Sequence, residues 1–325
     1  MGMSTLLPPK HQTPGRQVGQ EGQSLDGAVT RPKDAESPHW GAHTPPWWTP
    51  AGSQGKTEEP KTETTMESPL FLISNDDGID SPGIALLERV AGRFGDVITV
   101  APHAQMSAAS HSITLHAPLR LVDHGEGRFA LEGGTPVDCV YVGLNHLCKR
   151  RPAWVLSGVN KGLNVSDDTY YSGTVAAARE AVLQGIPGAA FSMASGDGWD
   201  IHSIEDELAT LVGEMIRHDF PERQLLNVNF PSPALGPLQD FQATTLGQRR
   251  FVDEIHVRTD PRGRDYLWIG GDDAWMGDVP GSDCNAIREG WVSVSVLRLD
   301  ATVESDALNT WTILKRPDPR AAALP

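Results

Sequence analysis

The sequence predicts an α/β fold: a doubly wound, mostly parallel three-layer sandwich of Rossmann-like type, with a C-terminal antiparallel hairpin extension. Two observations predict the sandwich. From residue 69 to 231, short apolar runs fit for buried strands alternate with segments whose apolar residues recur at helical spacing. The first run, a capped amphipathic segment and the next run together fit a βαβ unit within about 35 residues. The hairpin rests on a third observation, a last third with strand-like runs and no helical period between them.

The run PLFLIS (69–74) is short, apolar and bounded by a turn. Ser81 is a good N-cap and Pro82 suits a first helical position, so 81–94 reads as a helix burying Ile84, Leu87, Ala91 and Phe94. DVITVAP (96–102) is the second strand. Thr135-Pro136-Val137-Asp138 opens another helix, with an apolar stripe of Val137, Val140, Tyr141, Leu144 and Leu147. AWVLSGVN (153–160) reads as a buried strand and SGTVAAAREAVLQG (172–185) as a helix closed by Gly185, with Pro187 beyond. GAAFSMA (188–194) is a strand, Ser203 and Asp206 start a helix carrying Leu208, Leu211, Val212, Met215 and Ile216, and LLNVNFP (225–231) is a strand. Short strands are expected around 241–247, 253–258, 265–270 and 291–299, with a hairpin arm suited to oligomerisation.

Residues 1–67 are different. They hold nine of the 25 prolines, show no period of 2 or 3.6, and read as a disordered N-terminal extension. Met66, just before the first strand, is a second candidate start. The folded domain is expected over 68–312, followed by a tail over 313–325.

The 325-residue chain holds 27 basic and 42 acidic residues, a formal charge of −15. Such acidity argues against binding a nucleic acid polymer, which relies on basic surface. It leaves small phosphorylated ligands open, because helix N-termini or a metal hold those locally. No run reaches the roughly 18 apolar residues of a membrane helix, and no apolar leader opens the chain, so a cytoplasmic protein without a membrane partner is expected. Cys139, Cys148 and Cys284 are odd in number and widely spaced, as expected of free thiols.

Ligands of open parallel sheets bind beyond the carboxyl ends of the strands. Three predicted loops share that rim: Asn75-Asp76-Asp77-Gly78, the polar stretch after Pro102, and Gly158 to Asn164. Two adjacent carboxylates face one ligand only where the chain turns, and Gly78 permits the turn. Carboxylates with neutral oxygens nearby suit a hard divalent cation; the plainer reading of the tetrapeptide is an Asx turn. Ser172-Gly173-Thr174, at a helix start, fits a phosphate seat or ordinary capping. Gly125-Glu126-Gly127 with Ala130 mimics a dinucleotide fingerprint but does not join a buried strand to a helix, and no Walker A motif occurs.

Together these segments resemble the SurE (stationary-phase survival protein) family of metal-dependent nucleoside monophosphate phosphatases. The resemblance runs from about Leu70 to Thr302, through LISNDDGIDSPGI, SGVNKGLNVSDDTYYSGTVAAAREA, TDPRGRDYLWIGG and DCNAIREGWVSVSVLRLD. It implies hydrolysis of 5′- or 3′-nucleotides with one divalent ion per subunit, magnesium or manganese. It implies Asp76, Asp77, Ser107 and Asn160 as metal ligands, with Asp76 and Asp77 catalytic. It also implies Asn75, Ser110, Asn164, Ser172, Gly173 and Thr174 around the phosphate, and a homodimer or dimer of dimers.

The chain departs from the family pattern at His103-Ala104, where an acidic–basic pair is common, at Met106 in place of a basic residue, and at Ala108 in place of glycine. A broader phosphatase acting on polyphosphate or other monoesters, and a non-catalytic nucleotide-binding regulator with a degenerate site, are the competing expectations.

Overall fold

The computed structural model describes residues 68–303, apart from 197, 252–253 and 271–273. The extension read over 1–67 and the tail read over 313–325 lie outside the described residues.

Nine strands form one sheet. At its centre, β1 (Leu70–Ser74) pairs in parallel with β2 (Asp96–Pro102) on one side and β5 (Trp154–Lys161) on the other. Beyond β2 lie β4 (Arg128–Glu132), parallel, and β3 (Arg120–Asp123), antiparallel. Beyond β5 follow β6 (Gly188–Met193) and β7 (Gln224–Phe230), both parallel. The antiparallel β13 (Val292–Arg298) and then β8 (Phe241–Thr244) close that edge. The chain leaves β1 for β2 on one side and later enters β5 on the other, so a topological switch point falls between β1 and β5.

Strand alternation explains the three layers. Phe71 and Ile73 of β1, with Trp154 and Leu156 of β5, face α1 (Pro82–Ala91) and α5 (Glu205–Met215). Leu70, Leu72 and Val155 point the other way, toward α2 (Pro136–Val142) and α4 (Gly173–Leu183). Both faces of these strands are buried, which is why they read as continuous apolar runs. Each of these central side chains stabilises the core by about 1.5–3 kcal/mol.

The caps follow the sequence. The Ser81 hydroxyl accepts from the Ile84 N–H, and Thr135 with Asp138 forms a reciprocal capping box. Three local expectations are corrected. Tyr141 is exposed, because it falls at the edge of the stripe and its hydroxyl stays wet. Ser203 does not start α5: a 3₁₀ turn over Ile201–Ile204 precedes it, capped by Asp200, whose carboxylate accepts from the His202 N–H. The last third is not helix-free, since α6 (Asp283–Arg288) precedes β13.

Within the last third, β9 (Arg249–Phe251) pairs antiparallel with β12 (Ala274–Met276). The strands β10 (Glu254–Thr259) and β11 (Asp265–Gly270) form the expected antiparallel hairpin. Glycines 125 and 127, with positive φ, lie in the turn between β3 and β4, away from any strand-to-helix junction. Among the described residues no helix is long and apolar enough to cross a membrane.

Candidate active site

The switch point carries a cavity of about 810 Å³ at the carboxyl ends of β1 and β5. Asp76, Asp77, Ser107 and Asn160 all line it. They come from the loops after β1 and β2 and from the end of β5, and local bonds bring each to the rim.

Asp76 and Asp77 follow β1 directly. The turn after them is closed by Asn75, whose amide donates to the Gly78 carbonyl and the Ser81 hydroxyl and whose Oδ1 accepts from the Gly78 N–H. Gly78 sits at φ +101°, in the region that favours glycine. The loop after β2 is pinned against this turn, because the Met106 N–H donates to the Asp76 carbonyl at 2.7 Å. That contact delivers Ser107, whose hydroxyl accepts from the Gln105 amide at 2.9 Å. Asn160 follows an irregularity in the pairing of β5 with β6, of the kind that re-aims a side chain. Its amide nitrogen donates to the Gly162 carbonyl, which leaves Oδ1 as an acceptor.

The two carboxylates are electrostatically uneasy. Burial pushes the Asp76 carboxyl up to about 6; the Thr174 hydroxyl opposes this and the Asp77 charge adds to it. Burial also raises Asp77, against the N–H and charge of Lys161. A divalent cation would relieve both. Two carboxylates, an amide oxygen and a hydroxyl form the hard oxygen set that magnesium or manganese takes, so these residues fit such an ion.

The expected phosphate group divides. Asn164 and Ser172 line the cavity. The Asn164 amide donates to the Ser192 hydroxyl, and the Ser172 hydroxyl caps α4 by accepting from the Val175 N–H. Four others fall outside the lining. Asn75 is engaged in its own turn. Ser110 donates its N–H to the Tyr171 carbonyl, fastening the loop to α3 (Asp168–Tyr171). Gly173 and Thr174, at the start of α4, face Asp76. The Thr174 hydroxyl donates to Asp76 Oδ1, and a Cβ on Gly173 would lie 2.9 Å from the Asp76 Cβ. The helix start is therefore turned on the carboxylate.

Several lining residues had no assignment in the sequence. Lys161 lies inside the recognised SGVNKGLN stretch; its ammonium rests 4.8 Å from the centroid of the Trp199 ring. Lys161 and Trp199 also line a neighbouring cavity of about 430 Å³ with His103 and Asp80. Arg249, at the start of β9, forms an ion pair with Asp168 in the wall of the main cavity. Nothing in the sequence around Arg249 points to strand ends some 90 residues earlier. Its segment is drawn in by Asp283, whose carboxylate accepts N–H groups from Ser166 at 2.8 Å and Gly247 at 2.7 Å.

Fold and site together define a Rossmann-like α/β protein with an acidic ligand pocket at its switch point. The family model for Survival protein SurE matches residues 71–253. The chain is 44% identical over 247 residues to the 5′-nucleotidase SurE of Gemmatimonas aurantiaca, covering 74% of this chain and 97% of the relative. It is 41% identical over 249 residues to the 5′-nucleotidase SurE of Geotalea uraniireducens, covering 76% and 98%. The solved structure of the SurE protein from Aquifex aeolicus superposes with a TM-score of 0.64 at 33% identity, over 72% of this chain and 95% of that one. The chain belongs to the SurE family.

Proposed function

We propose that the protein hydrolyses nucleoside monophosphates to nucleoside and phosphate, with a divalent ion held by Asp76, Asp77, Ser107 and Asn160. One observation carries this reading: four oxygen donors from two loops and the end of β5 line one cavity, and two of them are carboxylates raised by burial. The names of the relatives support the substrate class.

When bound, magnesium or manganese supplies Lewis acidity toward a phosphate oxygen and a site for water. Asp77 would help hold the ion, and one of its oxygens already accepts from the Lys161 N–H. Asp76, fixed by Thr174, holds its carboxylate toward the cavity and orients the attacking water. Ser172 and Asn164 bound the space for the phosphoryl group, and the Lys161 ammonium is the nearby cation on the Asp77 side. Asn75, Gly173, Thr174 and Ser110 act one step back, by shaping the carboxylate turn and its loop.

The hairpin of β10 and β11 exposes Ile255, Val257, Leu267 and Trp268, which favours a homodimer or dimer of dimers built through this arm. Cytoplasmic action accords with a nucleotide substrate.

The test is phosphate release from a panel of nucleoside monophosphates, polyphosphate and simple monoesters. Chelator-stripped protein is assayed with and without Mn²⁺ or Mg²⁺. Metal-dependent release ranked toward nucleotides is expected. Folded protein that binds nucleotide yet releases no phosphate with either metal would be a regulator instead.

A further inference from the structure

The main cavity is lined by two kinds of side chain. Asp76, Asp77 and Asn160 are polar; Leu163, Tyr171 and Ile269 offer apolar surface, and the Arg249–Asp168 pair lies in the same wall. Tyr171 is 66% exposed and Ile269 92%. An aromatic ring that lines a cavity and stays open to solvent leaves a large apolar face unused.

The backbone of Tyr171 is nonetheless fixed. Its carbonyl accepts from the Ser110 N–H at 3.0 Å, and two residues later Gly173 lies against Asp76. Two residues span at most about 7 Å. Tyr171 therefore stands about a pentose's reach from the carboxylates. Its neighbour Tyr170 is equally exposed, at 66%, but does not line the cavity.

We propose that Tyr171 is the platform on which the nucleotide's base stacks, with Leu163 and Ile269 as apolar edges and the Asp168-held Arg249 beside it. This rests on the nucleotidase reading of the same cavity. Stacking uses the π face common to all bases, so the platform selects for a base without strongly selecting which one. It makes the site a nucleotidase rather than a general sugar phosphatase: the base adds binding that a bare ribose phosphate lacks.

The test compares kcat/KM for nucleoside monophosphates and for ribose 5-phosphate in metal-loaded wild type, Y171A, Y171F and Y170A. Y171A is expected to lower kcat/KM about tenfold for nucleotides and to leave ribose 5-phosphate within about twofold. Y171F and Y170A are expected to behave as wild type toward both. A Y171A loss equal on both substrates, or a loss on neither, overturns the platform. Calorimetric binding of adenosine, which carries no phosphate, separates this inference from the reading beneath it. Adenosine affinity weakened about tenfold in Y171A keeps the platform even if no substrate is hydrolysed. Affinity unchanged by Y171A removes the platform whatever the turnover shows.

Discussion

The Thr174 hydroxyl, at the start of α4, donates a hydrogen bond to Asp76 Oδ1, at the end of β1. The bond stabilises the ionised carboxylate, whereas burial favours the neutral acid. The balance leaves Asp76 at about 6, above its ordinary 3.8. Removing the hydroxyl raises it further. In T174V, metal affinity at pH 6 is expected to fall several-fold while that at pH 8 changes little, as titration calorimetry at the two values checks.

The same shift has a stability consequence. A carboxyl whose folded pKa lies above its unfolded value contributes stability below pH 4 and loses it as pH rises through about 6. Ionised Asp76 therefore costs the metal-free protein up to about 3 kcal/mol near neutrality. Chelator-stripped D76N is expected to melt above stripped wild type at pH 8 and to lose that advantage at pH 4. Added metal should stabilise wild type and not D76N. Equal melting curves for the stripped pair at pH 8 would count against the buried-charge account.

Asp77 tests the chemistry more directly. It is less buried than Asp76 and its amide isostere keeps the Lys161 contact. D77N is expected to lose at least about a hundredfold in kcat while remaining folded, since one proposed ligand of the Lewis acid is gone. Full activity in folded D77N would remove the metal-site assignment.

Ala108 offers a stabilising change. Its φ is +57°, where a Cβ meets its own backbone. A108G relieves up to about 1 kcal/mol of backbone strain, offset in part by the extra freedom of unfolded glycine. A denaturant midpoint shifted upward or unmoved fits this; a drop of more than about 1 kcal/mol does not.

Asp138 anchors the loop that carries Ser107. Its carboxylate accepts from the Thr135 N–H, the Thr114 N–H at 2.9 Å and the Thr114 hydroxyl at 2.7 Å. D138A strips the capping box and the loop anchor together and is expected to cost about 2–4 kcal/mol. Hydrogen exchange should rise through 106–114 before it rises in β1.

The central fold was legible because strands buried on both faces are short, apolar and punctuated by turns. The bounds read for β2 coincide with those of the strand, and those for β1 and β7 lie within one residue of it. Strands β3 and β4 escaped because they are short and lie near the edge, with only Ala130 and Leu131 buried. Helix α6 escaped because six residues carry too little period. In the site, side chains leaving β1 and β5 were visible as strand-end residues. Lys161 was visible and unassigned. Arg249 and Tyr171 were not assigned, because a cavity wall is set by which loops meet in space. At the start of α4 the capping pattern was legible, but its contact with Asp76 was not.

The Asp283 carboxylate draws together N–H groups of Ser166 and Gly247, residues 117 and 36 positions earlier in the chain. During synthesis Asp76, Asp77, Ser107 and Asn160 all leave the ribosome well before Asp283 is made. The nascent chain then holds these four without the clasp that fixes the segment of Arg249 in the cavity wall. A proteolytic fragment ending at β7 should therefore lack the activity proposed for the whole chain.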